Sequence, residues 1–305
     1  MKAALLIGNG LNRCYEDNDS QISWSSLLQK IADHHEVAFI SKNSFPLEFE
    51  CLVNSICEKK GLLFDKVLTD AKKTIATHVE SLMPPNNSIH YRFMDLPIDE
   101  IMTTNYDYVL ERAISPDEPF FSTDTATKYS LRRKAAFHNK QFHHIHGEAR
   151  KPSTLCLGYE HYAGYLANMR DYVKNTAKMQ TALQQGNLSR NDSWIDLFFT
   201  HDIHIVGLTL DVCEIDLWWL LTYRAQLFHT NPNIHKNLKN EITLYSTKDP
   251  KSKEFFAQKA LFERLHVNVV SIPPKQDASG KPDYLSAYKS ICGMIEDSVL
   301  QRHII

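Results

Sequence analysis

Short apolar runs recur along the chain, and each ends in a polar or glycine-bearing turn. Ala3 to Ile7 reads AALLI and runs directly into Gly8, Asn9, Gly10, Leu11 and Asn12. A continuous apolar run of this length predicts a strand buried on both faces of a parallel sheet. The pair Ile101-Met102 passes into Thr103, Thr104, Asn105, Tyr106 and Asp107, then into helical spacing. Gln141 to Gly147 (QFHHIHG) predicts a third strand. Ile203 to Val206, ending in Gly207-Leu208-Thr209-Leu210-Asp211, predicts a fourth. Ile242 to Tyr245 and Val267 to Ile272 complete the strand set. Between the first strand and Glu100 the period is helical instead. Trp24, Leu27, Leu28 and Ile31 follow a capping Ser23, and further stripes run through Pro46 to Ile56 and Phe64 to Ile75. Pro84-Pro85-Asn86-Asn87-Ser88 breaks this series. Residues 23–95 therefore read as a helical insertion, and residues 1–22 with 96–305 as the core of a single domain spanning 1–305. Ser115 to Asn139 reads as a loop whose basic cluster Lys128, Arg132, Arg133 and Lys134 is a solvated surface. Gly158 to Trp194 reads as helical, Pro273 to Pro282 as a surface loop, and Tyr284 to Leu300 as a closing amphipathic helix. Strands alternating with helices predict an α/β protein with a doubly wound parallel sheet.

Composition narrows the function classes. With 305 residues, 43% hydrophobic and 23% charged, the chain can bury a sizeable core. A formal net charge of −2 supplies no field to recruit nucleic acid or anionic lipid. The basic cluster also lacks the aromatic interleaving of a nucleic-acid surface. Six scattered cysteines without a CxxC pair argue against both a structural zinc site and a disulfide framework. A reduced, cytoplasmic setting is the expectation, with no membrane span and no signal segment.

Chemistry concentrates at the strand ends. In a parallel sheet the carboxyl ends lie on one edge, where open α/β folds bind ligands. Gly8 and Gly10 let a backbone approach a pyrophosphate, or simply make a tight turn, since Arg13 stands where a third glycine of G-x-G-x-x-G would fall. Arg13 can pair with a phosphate through its fork of donors. Asn105 and Asp107 sit where such a fold puts its chemistry, although Thr, Asn and Asp also cap helices. In QFHHIHG an extended strand would place His144 and His146 on one face and His143 with Ile145 on the other. No acidic or cysteine partner is spaced to complete a metal site there, so no metal is expected. His146, before Gly147, is a candidate acid, base or hydroxyl-orienting group.

Together, GNG near the start, TTNYD, a strand ending in HG and a late G-x-[ST]-L turn resemble the sirtuin-like family of NAD-consuming domains. SWSSLL after the first turn and LGYEHY after the histidine extend the likeness over most of the chain. The four-cysteine zinc module of the deacetylases has no counterpart after His146. The resemblance is therefore to the zinc-less branch of bacterial anti-phage defence, which hydrolyses NAD+. It implies a Rossmann-like core with Gly8, Asn9, Gly10 and Asn12 near the pyrophosphate and Thr104 nearby. It implies Asn105 holding water or ribose hydroxyls, Asp107 toward the nicotinamide and His146 orienting the ribose. Gly207 and Thr209 would face the adenosine half, and the acidic residue that follows could be Asp211 or Asp216. The expected activity is NAD+ glycohydrolysis to nicotinamide and ADP-ribose, with NAD+ as substrate. Regulation is expected through a separate sensor or activator protein or through self-assembly, so an oligomer is expected. The alternative is a non-catalytic module that senses NAD or ADP-ribose. A dehydrogenase is disfavoured, because no acidic residue follows a strand about twenty residues after the glycines.

Overall fold

β1 (Ala3–Ile7) lies at the centre of a seven-stranded sheet. The computed structural model describes residues 2–15, 22–40, 44–86, 88–120, 128–188 and 190–303. Asn87 of the proline-asparagine break and residues 121–127 of the loop-rich stretch lie outside them. In chain order, α1 (Gly10–Arg13), α2 (Trp24–His34), α3 (Phe45–Lys60), α4 (Phe64–Glu80) and α5 (Ile89–Asp95) precede β2 (Glu100–Thr103). Then come α6 (Val109–Ile114), β3 (Ala135–Phe137) and β4 (Lys140–His144). A 3-10 turn (Pro152–Thr154) leads to α7 (Tyr159–Asp171), a π-helical turn (Tyr172–Thr176), α8 (Met179–Gln185) and α9 (Trp194–Thr200). β5 (Asp202–Val206), α10 (Ile215–Phe228), α11 (Pro232–Asn237), β6 (Ile242–Ser246), α12 (Lys253–Glu263) and β7 (Asn268–Ser271) follow. A small hairpin of β8 (Lys275–Gln276) and β9 (Pro282–Asp283) precedes the closing α13 (Tyr284–His303).

The sheet order is β3-β4-β2-β1-β5-β6-β7, all parallel except the edge strand β3. Leaving out β3, the parallel strands run third, second, first, fourth, fifth, sixth. This is the doubly wound Rossmann-like order, whose topological switch falls between β1 and β5. The sequence pattern predicts every parallel strand but not β3, which lies in the stretch read as loop. Its three residues carry too short a pattern to show a period, and pairing with β4 makes it a strand. The hairpin β8-β9 inside the predicted surface loop was missed for the same reason.

Alternation along β1 divides the core. Leu5 and Ile7 pack into the layer of α2–α6 and α13, whereas Ala4 and Leu6 pack into the layer of α7–α12. Burying both faces is why the strand shows an unbroken apolar run. Ser23 caps α2 as the sequence reads, its Oγ accepting from Ser26 N at 3.2 Å; Ser193 Oγ does the same for α9, accepting from Ile195 N at 3.3 Å. One surface expectation is overturned. Arg133 is only 3% exposed, with Nε 3.5 Å from Glu148 Oε1 and Nη1 directed at His144 O. It is a buried ion pair behind β4, not part of a solvated basic patch.

Candidate active site

The turns that leave β1 and β5 lock together at the switch point. Gly8 N donates to Val206 O at 2.9 Å, and Gly10 N donates to Gly207 O at 2.7 Å. A Cβ on Gly8 would stand 2.6 Å from Gly207 O, and one on Gly10 2.7 Å from the same atom. Gly207 itself has φ +66°, a conformation that side chains rarely tolerate. These glycines are thus required by two backbones touching, and the amides of Gly8 and Gly10 are engaged within the protein.

Beside this junction lies a cavity of about 310 Å³, within the roughly 300–1,000 Å³ span usual for ligand pockets. It brings together Asn9, Gly10, Arg13, Thr104, Gly207 and Thr209, six residues singled out in the sequence. Trp24, Phe45 and Tyr162 supply aromatic wall, and Glu48, Asp211 and Glu214 supply carboxylates. Arg13 is the one cation among the described lining residues. The sequence reading missed Trp24, Phe45, Tyr162 and Glu214 as site residues, because each sits on a helical stripe or in a helix's first turn, where packing and capping account for it locally.

Thr103 sets the geometry at the end of β2. Its Oγ1 donates to Ile7 O (2.9 Å) and accepts from Asn105 N (3.0 Å). His144 Nδ1 donates to Asn105 O at 3.0 Å. The Asn105 backbone is therefore held from both sides. Its side chain is the reverse: Nδ2 and Oδ1 are buried and make no hydrogen bond to any described residue. An amide with two unmet ends in a low-dielectric interior is costly, and native proteins keep such groups where function requires them. Asp107 is differently placed. Oδ1 caps Val109 N (3.0 Å) and Oδ2 accepts from Asn12 Nδ2 (3.0 Å). Behind it, His90 Nε2 donates to Asn12 Oδ1 (2.9 Å), and Ser88 Oγ donates to His90 Nδ1 (2.9 Å). Burial pushes Asp107 up to about 6 and His90 down to about 4, which suits the neutral imidazole this chain of bonds needs. Gly8, Asn12, Asn105, Asp107 and His146 are not among the residues that line the cavity; Asn12, with 1% exposure, holds Asp107.

The three histidines of QFHHIHG part company. β4 ends at His144, so the strand alternation does not extend to His146, and the two do not share a face. His143 Nε2 meets Glu100 Oε2 at 2.8 Å, His144 Nε2 meets Glu111 Oε1 at 2.7 Å, and His146 Nε2 meets Asp216 Oδ2 at 2.8 Å. The ring of His144 packs among Tyr108 and Phe120, that of His146 against Tyr162 and Tyr165. Burial would lower the His146 pKa, but the Asp216 carboxylate and its hydrogen bond, with Glu214 behind, raise it above the ordinary value. Burial, opposed by His146 and reinforced by Asp216 and Asp211, pushes Glu214 up to about 7. The two late acids thus take different places. Asp216, fully buried in the first turn of α10, orients His146, while Asp211 lies on the cavity wall.

The carboxyl edge of a doubly wound sheet thus holds a glycine junction at the switch point, a side-chain amide without a partner among the described residues and a histidine–carboxylate pair. Residues 99–201, from β2 through α9, match the SIR2-like domain family. That span holds Asn105, Asp107 and His146. The chain is also similar to the NAD(+) hydrolase ThsA of Bacillus cereus (strain MSX-D12), with 24% identity over 175 residues, 56% of this chain and 33% of that protein. The chain thus matches about a third of the length of this curated relative.

Proposed function

We propose that this protein is an NAD+ glycohydrolase that cleaves the nicotinamide–ribose bond, giving nicotinamide and ADP-ribose. The observation that carries the reading is the buried Asn105 amide, unpaired at both ends on a clamped backbone. The SIR2-like match and the hydrolase relative supply the substrate class. In the reaction the ribosyl C–N bond breaks with its electron pair going to the nicotinamide nitrogen. The ribosyl carbon, cationic in the transition state, takes the oxygen of water, which releases a proton. Asn105 can donate to a ribose hydroxyl or accept from the attacking water. His146, with Nε2 held by Asp216, can use its other ring nitrogen, Nδ1, to orient a hydroxyl or receive the proton. Carboxylates at Asp211 and Glu214 favour the developing positive charge, and Arg13 suits the pyrophosphate. Asp107 serves the nicotinamide side from behind, through its hold on α6 and Asn12. Gly8, Asn9, Gly10, Asn12, Thr104, Gly207 and Thr209 form the cofactor-side wall and its support.

The biological role that fits is a cytoplasmic defence effector that depletes cellular NAD+ when a partner protein or self-assembly activates it. The test is to co-express the full chain with its neighbouring genes under challenge and follow NAD+ and nicotinamide. NAD+ loss that Asn105→Ala and His146→Ala each abolish supports the reading. NAD+ loss at the wild-type rate in both variants overturns the site. Binding of NAD+ or ADP-ribose without nicotinamide release, with the activator present, favours the sensing-module alternative.

A further inference from the structure

The helices between β1 and β2 hold a second cluster of chemistry, apart from the residues that line the cavity. His34 is the last residue of α2 and His35 its C-cap; Asp70 is in the middle of α4. His34 Nε2 and His35 Nε2 each lie 3.1 Å from the same oxygen, Asp70 Oδ2. The three atoms lie within 4.8 Å of one another, and the two rings stand nearly perpendicular at 83°. The His34 contact is a hydrogen bond. The His35 contact is not: Nε2 of this residue, only 9% exposed, has no hydrogen-bond partner among the described residues despite its nearness to Asp70.

Two observations point the same way. First, metal–nitrogen and metal–oxygen bonds of about 2.0–2.2 Å in a tetrahedral zinc site put neighbouring ligand atoms roughly 3.3 Å apart. Two separations of 3.1 Å match that edge closely. Second, a buried imidazole nitrogen that faces a carboxylate without a hydrogen bond is unfavourable as it stands. A cation shared by both atoms removes the conflict. We propose that His34, His35 and Asp70 form a divalent metal site of the zinc type, with water completing the coordination. Two imidazoles and one carboxylate are a donor set suited to Zn²⁺ and not to Mg²⁺ or Ca²⁺. Lys60 opposes a cation here, and its ammonium is held by Glu36 Oε2 at 3.0 Å. His34 and Asp70 are about half exposed, so an ion can enter from solvent.

The ion would tie the C-terminal end of α2 to α4. Because α2 begins at Trp24, which lines the cavity, the ion acts as a strut for that wall. The test uses the full chain after treatment with a chelator, titrated with Co²⁺ or Zn²⁺ alone. One equivalent of Co²⁺ should give the visible absorption of a four-coordinate N/O site, and Zn²⁺ should raise Tm by several degrees. His34→Ala and Asp70→Asn should each weaken metal binding at least tenfold and remove the Tm rise. Both remove half-exposed groups, so their metal-free Tm should stay near that of the wild type. Absence of saturable binding, or equal binding by the wild type and both variants, overturns the assignment.

Discussion

The two edges of the sheet resemble each other in polarity and differ in what their side chains leave undone. At the amino edge a cavity of about 190 Å³ is lined by Lys2, Asp99, Glu100, His201, Asp202 and His204. Its buried carboxylates are engaged. Glu100 takes His143 on one oxygen and Asn191 Nδ2 (2.6 Å) on the other, and Asp202 Oδ1 accepts from Glu241 N (2.7 Å). Lys140, beside it, donates to Leu96 O and Ile98 O. Among the described residues there, the buried His143 Nδ1 lacks a partner. At the carboxyl edge, Asn105 has both ends unpaired, and Asp216 Oδ1 and Glu214 Oε2 lack partners among the described residues. Charge and volume therefore do not separate the two edges; unmet hydrogen-bonding capacity on a clamped backbone does.

This contrast can be broken most decisively at Asn105. With the activator present, Asn105→Ala should lower nicotinamide release by roughly 100-fold or more, the scale of removing a positioned polar group. Its Tm should hold or rise, because an unpaired buried amide contributes nothing to stability. A large drop in Tm with the activity kept would put Asn105 on the structural side. Asp216→Asn is next: it should cut the rate by about tenfold to 100-fold, on the scale of second-layer partners of a functional histidine, and shift the pH–rate profile. Its counterpart at the amino edge, Glu100→Gln, should leave the activity unchanged while costing about 1–3 kcal/mol of stability by urea unfolding. Equal rate losses in the two carboxylate variants would erase the distinction between the edges.

Gly10→Ala tests the junction. The added Cβ would stand 2.7 Å from both Gly207 O and Tyr288 Oη, and the backbone atom cannot swing aside, so about 1–3 kcal/mol of destabilisation is expected, with loss of NAD+ binding in equilibrium dialysis. The smallest effect concerns pH. His144 donates from both nitrogens, to Glu111 and to Asn105 O, which requires the imidazolium. Burial lowers its pKa, but Glu111 and Glu148 raise it to about 9, above the roughly 6.5 of an unfolded histidine. The sign follows: this contribution is complete below about pH 6.5 and is lost as pH rises through about 9. Thermal melts between those values should show Tm falling in the wild type and falling less in His144→Gln. A parallel decline in both would remove the His144–Glu111 pair as the cause.

Much of this was legible along the chain because it is local. A buried parallel strand needs an unbroken apolar run, a helix start needs an oxygen such as Ser23 Oγ, and a parallel sheet puts all strand-end turns on one edge. From these the doubly wound core, the glycine turns and the candidacy of Asn105 and His146 follow without coordinates. The sequence alone left open whether Asn105 caps a helix or serves a site, whether the late acid is Asp211 or Asp216, and why Gly8 and Gly10 are glycines. Tertiary structure shows what each of these residues meets, through partners far away in sequence. His146 meets Asp216 seventy positions on, His144 meets Glu111 thirty-three positions back, and the first two glycines touch Gly207. Asp107, not Asn105, proved to be the cap, since the Val109 amide is satisfied by Asp107 and the Asn105 amide by nothing described. The physical reason is common to all of these: periodicity reports which face of an element is buried, but a hydrogen bond or a backbone contact depends on which distant element is brought opposite.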